Sequence, residues 1–218
     1  YRVIPRTTVA GLLAAVLGEP RDSYYDTFAQ DSSAIAISPA CALETQSIPQ
    51  LTLPTESGDI MTAKGVSGKT VIDPKTIAKE RKRRTFEYVV DPSYRIDLVL
   101  DDADTFERLS TYLEAGRSTY TPSLGKTECL ATITDVTQST VKEGGNPESI
   151  SSTVPEEYIV PTAGESLRME RTPAYMQADN NGRKTTGFIS YAFTPEEQTL
   201  TAPAAPVRSV EKRSVCFI

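Results

Sequence analysis

The sequence predicts an α+β fold: a ferredoxin-like (RRM-like) βαββαβ domain with a small C-terminal β-rich extension. Three observations lead there. Two segments carry a one-sided 3.6-residue apolar stripe, several short runs alternate with period two, and the elements follow in the order helix, strand, strand pair, helix, strand. One further strand, expected ahead of Tyr1, completes the pattern.

The first helix is expected over Thr8 to Leu17. Val9, Leu12, Leu13, Val16 and Leu17 form one stripe, Thr7 or Thr8 can cap the start, and Gly18 suits a left-handed stop. Ala10, Gly11, Ala14 and Ala15 keep another face small enough for close packing on a sheet. Ala34 to Ser38 is a short strand. Pro39 to Pro74 is rich in Pro, Gly, Ser and Thr, and a segment of that length without periodicity is expected to be functional or irregular.

Thr85 to Asp91 and Tyr94 to Asp101 are the next strands. Asp91-Pro92-Ser93 between them has turn chemistry, so the pair is expected to form a hairpin. Thr105 to Ala115 is the second helix, with Asp104 and Glu107 as a capping box, Phe106, Leu109 and Leu113 as its stripe and Gly116 as its stop. A loop over Tyr120 to Glu128 leads into a strand over Cys129 to Val136. Beyond Thr140 the chain turns to Gly, Ser and Glu. Short strands are expected at Glu157 to Val160, Leu167 to Glu170, Gly187 to Phe193 and Val215 to Ile218. Residues 1–141 therefore read as one domain and 142–218 as the extension.

Composition narrows the function. With 218 residues, 39% hydrophobic and 24% charged, the chain can bury a substantial core. It contains no histidine, which excludes Ser-His-Asp and Cys-His nucleophile systems and removes the commonest base near neutral pH. Cys41, Cys129 and Cys216 are too few and too scattered for an all-thiolate zinc site, and fit free thiols in a reducing cytoplasm. No apolar run is long enough for a membrane span. Neither a metal nor a cofactor is expected, and no catalytic residue is assigned.

The net charge of −6, taken as a whole, argues against nucleic acid. Its distribution reverses that reading. Lys75 to Arg84 (KTIAKERKRR) holds six basic residues and one acid, a local +5, which leaves −11 on the remainder. This cluster is interior to the chain, runs into a strand and follows Lys64 and Lys69, so it is read as a phosphate-contacting segment. The acidic remainder, with nine lysines against fourteen arginines, also suits a protein adapted to high salt.

Other motifs carry less. Gly68-Lys69-Thr70 and Gly125-Lys126-Thr127 look like the end of a P-loop, but the first glycine of that motif is replaced by Ala63 and Tyr120. Either loop can still present backbone N–H groups to an anion. Asp101, Asp102 and Asp104 sit at a helix start and read as capping acids rather than metal ligands. Tyr24, Tyr25, Tyr88, Tyr94 and Tyr120 can stack bases but are more ordinarily packing residues, with Tyr120 the best placed to stack. Gly182-Arg183-Lys184 is a small basic turn.

Three stretches, PRTTVAGLLAAVLG (Pro5 to Gly18), FEYVVDP (Phe86 to Pro92) and YTPSLGKTECLA (Tyr120 to Ala131), together resemble the Cas-five family of CRISPR-associated proteins, a branch of the RAMP superfamily. The resemblance implies a ferredoxin-like domain with an inserted thumb hairpin, here about 39–84, and a first strand preceding the PRTT helix. It implies a subunit that caps the 5′ handle of crRNA in a type I Cascade complex, most similar to type I-B. The expected neighbours are the backbone and large subunits of that hetero-oligomer, in the cytoplasm and without a membrane, in antiviral defence.

On this reading Arg6, Thr7, Thr8, Lys64, Lys69, Arg81, Lys82, Arg83, Arg84, Tyr120, Gly125, Lys126 and Arg183 contact RNA. Some family members cut precursor RNA, usually with a histidine. The absence of histidine therefore makes this chain a non-catalytic binder, with a metal-independent endoribonuclease as the alternative.

Overall fold

The computed structural model describes residues 1–52, 62–64, 70–72, 82–161, 166–179, 182–195 and 198–218. In chain order its elements are α1 (Arg6–Leu17), β1 (Ser33–Pro39), β2 (Thr45–Thr52), β3 (Thr62–Lys64), β4 (Thr70–Ile72), β5 (Lys82–Val89), β6 (Tyr94–Leu100), α2 (Ala103–Glu114), β7 (Val141–Glu143), β8 (Val154–Pro155), a 3₁₀ turn (Glu156–Tyr158), β9 (Arg168–Asp179), β10 (Gly182–Phe193), β11 (Val207–Val210) and β12 (Arg213–Cys216). The fold is α+β, with two α-helices among the described residues and every named strand pair antiparallel. The chain divides into two compact units, Tyr1–Leu43 with Pro92–Ile218, and Glu44–Asp91.

In the larger unit, α1 buries the predicted stripe of Val9, Leu12, Leu13, Val16 and Leu17 together with Ala10 and Ala14. It begins two residues earlier than expected. Pro5 is the N-cap residue and its carbonyl accepts from the N–H groups of Thr8 (2.9 Å) and Val9 (3.1 Å), so Thr7 and Thr8 lie inside the helix and neither caps it. Proline suits this place because it has no N–H to leave orphaned. Gly18 ends the helix at φ 78°, as expected of a left-handed stop.

β1 is hydrogen-bonded along both edges. One edge pairs with β6, Ser33 opposite Leu100 through Pro39 opposite Tyr94. The other edge exchanges hydrogen bonds with Ile218 and accepts from the Thr153 N–H at Ile37 (2.8 Å). Ile35, Ala36 and Ile37 are accordingly buried, which explains a strand with no polar face. Arg213 of β12 locks this sheet to the C-terminal one through a bidentate pair with Asp97 of β6, at 3.0 and 2.6 Å. Ala36 shares a core cluster with Val210 and Val215, and a second cluster gathers Ile150, Val154, Leu200, Ala202, Val207 and Cys216.

α2 is capped by Asp102, not Asp104. Its carboxylate accepts from the Asp104 N–H at 3.2 Å and from the Thr105 hydroxyl at 2.6 Å, which holds the Asp102 pKa below its ordinary value. A D-x-x-E match thus gave the right helix with the cap two residues late.

Three other expectations are corrected. Thr85 to Asp91 and Tyr94 to Asp101 are strands but not a hairpin: β6 pairs with β1, while β5 pairs with β2, Thr45 opposite Val89 through Thr52 opposite Lys82. Cys129 to Val136 is not a strand. Among the described residues it forms only the single bridge Ser123–Leu130, and the stretch after it runs without regular structure. Glu157 to Val160 overlaps a 3₁₀ turn instead of a strand. The expected runs at 167–170 and 187–193 are the ends of one long hairpin, β9 with β10, with β8 on the far side of Tyr191 and Ala192.

The smaller unit consists of the β2–β5 ribbon and the β3–β4 pair. β2 was hidden in sequence by Pro49, which an edge strand tolerates.

Candidate nucleic-acid interface

The first turn of α1 sits between two features of the larger unit. On one side is the loop that follows α2. It is tied to the helix by Thr119 N–H donating to Val16 O (3.1 Å) and Tyr120 N–H donating to Ala15 O (3.0 Å). Its own shape is set by Leu124 N–H to Cys129 O (2.8 Å), Cys129 N–H to Lys126 O (2.9 Å) and Ala131 N–H to Pro122 O (3.0 Å). Gly125 has φ 86°, a conformation that side chains resist, and a Cβ there would stand 3.9 Å from the Thr8 methyl. Thr8 and Gly125, far apart in sequence, therefore meet at the helix start, and Lys126 follows Gly125 in the loop. Lys126 is exposed and 3.9 Å from the Glu128 carboxylate. Tyr120 is 56% exposed.

On the other side lies a groove of about 670 Å³, bounded by Thr7, the 24–31 loop and the β9–β10 hairpin. Tyr24, Tyr25, Tyr175 and Phe188 line it. Tyr24 and Tyr25 are tilted neighbours with ring centroids 4.9 Å apart. Gly187 stands at a bulge in β10, where a Cβ would come within 2.9 Å of the Tyr175 ring, so glycine is what allows that ring to lie across the strand. Burial first, and then the hydrogen bond to Asp22, push the Tyr25 hydroxyl up to about 12, and the charge of Arg183 acts against them.

Arg6 forms the base of this arrangement and is not an anion contact. Only 1% of it is exposed. Its guanidinium donates to Phe28 O (2.6 Å), Ser33 O (3.1 Å), Ser33 Oγ (2.7 Å) and Ile218 O (3.0 Å), and lies 4.6 Å above the Tyr175 ring. Five rigid donors matched to carbonyls from three segments make it a structural clamp. Burial lowers its pKa. Thr7 is half-buried and its hydroxyl donates to Pro173 O at 3.4 Å.

In the smaller unit, Arg83 and Arg84 are exposed on β5. Strand alternation sends them to opposite faces, Arg83 across from Leu51 and Arg84 across from Gln50. The cluster is thus divided between two faces at this point. Lys82 lies on the same strand, while Lys69 and Arg81, and the side chains of Lys64 and Lys82, fall outside the described residues. Arg183 is exposed on β10 in the larger unit.

A family model described as CRISPR-associated protein (Cas_Cas5) matches residues 1–189. The chain belongs to that family. No curated protein matches it significantly. Among solved structures, it is similar to a chain of a "CRISPR RNA-guided surveillance complex", at 13% identity and a TM-score of 0.49, over 93% of this chain and 81% of that one.

For this family member, sequence reasoning named Thr8, Gly125 and Lys126 as contacts and did not name Tyr175 or Phe188, which line the groove. The signal was present in the glycine at 187 and the aromatics at 175 and 188, since a glycine inside a strand marks a bulge or a close approach. Their joint role was hidden because hairpin pairing, which brings Gly187 against Tyr175, cannot be read from either strand alone. Tyr94, by contrast, is a packing residue: burial raises its pKa and its hydroxyl donates to Arg2 O.

Proposed function

We propose that this chain is a non-catalytic RNA-binding subunit of a type I Cascade surveillance complex, similar to type I-B, which holds the 5′ handle of crRNA in antiviral defence. Family membership supports the CRISPR association. The observation that carries RNA binding is the meeting of α1's first turn with the Gly125–Lys126 loop. A helix start supplies dipole and N–H groups, the left-handed glycine lets backbone approach closely, and an exposed lysine completes an anion site. Phosphates on this site would fix register, and exposed Tyr120 would stack a handle base.

In this reading Arg83 and Arg84 contact the handle backbone from the smaller unit, with Lys64, Lys69, Arg81 and Lys82 in the same segment, and Arg183 adds a contact from β10. Arg6 is not among the contacts. The larger unit contributes the helix–strand–strand–helix order of a ferredoxin-like core in α1, β1, β6 and α2. The backbone and large subunits of the complex are the expected neighbours, in the cytoplasm.

The non-catalytic assignment rests on the absence of histidine. It is supported by Tyr25, whose raised pKa makes it a poor general base. The test is incubation of purified protein with labelled repeat RNA in EDTA. The expected result is a salt-sensitive shift of intact RNA, and sequence-specific cleavage would establish the metal-independent endoribonuclease instead.

A further inference from the structure

We infer that the groove between α1's first turn, the 24–31 loop and the β9–β10 hairpin holds one unstacked nucleobase carrying an exocyclic amine, with its phosphate on the hairpin side. This rests on the RNA-binding reading and adds a second subsite to it.

Size and lining support a base. A groove of about 670 Å³ falls within the range of small-molecule sites, and rings of Tyr24, Tyr25, Tyr175 and Phe188 give it stacking surfaces. The Arg6 guanidinium over Tyr175 and the Gly187 bulge hold one of those rings in place from both sides. Phe188 is 53% exposed, and the Arg171 guanidinium lies 4.7 Å above its ring, so the hairpin presents an aromatic face already paired with a cation.

Charge sets the orientation. The 24–31 loop brings Asp26 and Asp31 to the groove, both exposed. These carboxylates repel a phosphate. They accept hydrogen bonds and donate none, so they suit the exocyclic amine of adenine, cytosine or guanine better than uracil, whose single N–H on that edge is flanked by two carbonyls that repel a carboxylate. Positive charge lies on the hairpin, at Arg171 above the Phe188 ring and at exposed Arg183 on β10. The sugar–phosphate chain therefore follows the hairpin while the base points toward the loop.

The chain has no tryptophan, so Phe188→Trp at this exposed position creates a sole reporter. The full chain with F188W is titrated with fluorescein-labelled eight-nucleotide oligo(C), oligo(A) and oligo(U), following Trp emission and, separately, fluorescein polarisation. The inference predicts quenching by oligo(C) and oligo(A), with oligo(U) about tenfold weaker. Adding Tyr25→Ala, or the exposed change Arg183→Glu, should weaken quenching about tenfold. Binding seen by polarisation with unchanged Trp emission would overturn the subsite while leaving the RNA-binding reading intact, and is the result expected if a protein segment occupies the groove. Equal quenching by oligo(U) would overturn the amine preference. Absence of both signals would overturn both readings.

Discussion

Arg6 and Arg84 are the same residue type and were expected to do the same work, yet the two units that carry them treat them in opposite ways. In the larger unit Arg6 is enclosed, and its donors are matched to the carbonyls of Phe28, Ser33 and Ile218. In the smaller unit Arg84 stands on a two-stranded ribbon with its side chain in solvent. A two-stranded ribbon cannot enclose an arginine by itself, and Arg83 and Arg84 remain exposed on it. The lesson is that an arginine at a helix start is not an anion site until its donors have been accounted for. In the proposed function, anion binding at that helix start is assigned instead to the neighbouring loop, at Gly125 and Lys126.

Five variants break or sharpen this contrast. Arg6→Ala has the largest expected effect. It removes a buried charge and leaves several carbonyls without partners, which should cost at least about 3 kcal/mol in urea unfolding. Arg6→Lys should recover little, because an ammonium cannot reach three segments at once. An Arg6→Ala protein of normal stability with impaired RNA binding would restore Arg6 to the interface. Arg213→Ala comes next, at about 2 kcal/mol, since it leaves the mostly buried Asp97 carboxylate without its bidentate partner.

Gly18→Ala should cost about 1–2 kcal/mol. The added methyl would lie at φ 78° and within 2.7 Å of Thr119, so it should also disturb the loop that carries Tyr120 and Gly125. Faster amide exchange at Thr119 and Tyr120, whose N–H groups bond Val16 and Ala15, reports that coupling. The smallest effect on stability belongs to Arg83→Glu with Arg84→Glu, within about 0.5 kcal/mol of the parent. The same pair should flatten the salt dependence of RNA binding by about 0.7 in log–log slope per lost phosphate contact.

Much of this was legible in the sequence wherever one element decides its own structure. The α1 stripe, the Gly18 stop, β1 and β6 follow from periodicity in a single segment. Pairing was not legible. The Asp91-Pro92-Ser93 turn suggested a hairpin, but Thr45–Thr52 is the partner that β5 takes, and its proline and serine content disguised it as irregular. The alternating LATITDV stretch near Cys129 met the pattern for a strand and is not one, because alternation in one segment does not supply the partner that a ladder needs. For the site, the residue types were readable and the accessibility was not: burial separates Arg6 from Arg84, and burial is a property of what packs around a residue.

The central claim is that exposed basic residues of this chain hold the RNA handle. It is tested most directly by the crRNA content of the complex assembled with Lys126→Glu, Arg83→Glu and Arg84→Glu together, measured as RNA per protein after washing in rising salt. The account predicts an assembled, folded subunit that loses crRNA at lower salt than the parent. Full crRNA retention across the same salt range would contradict it.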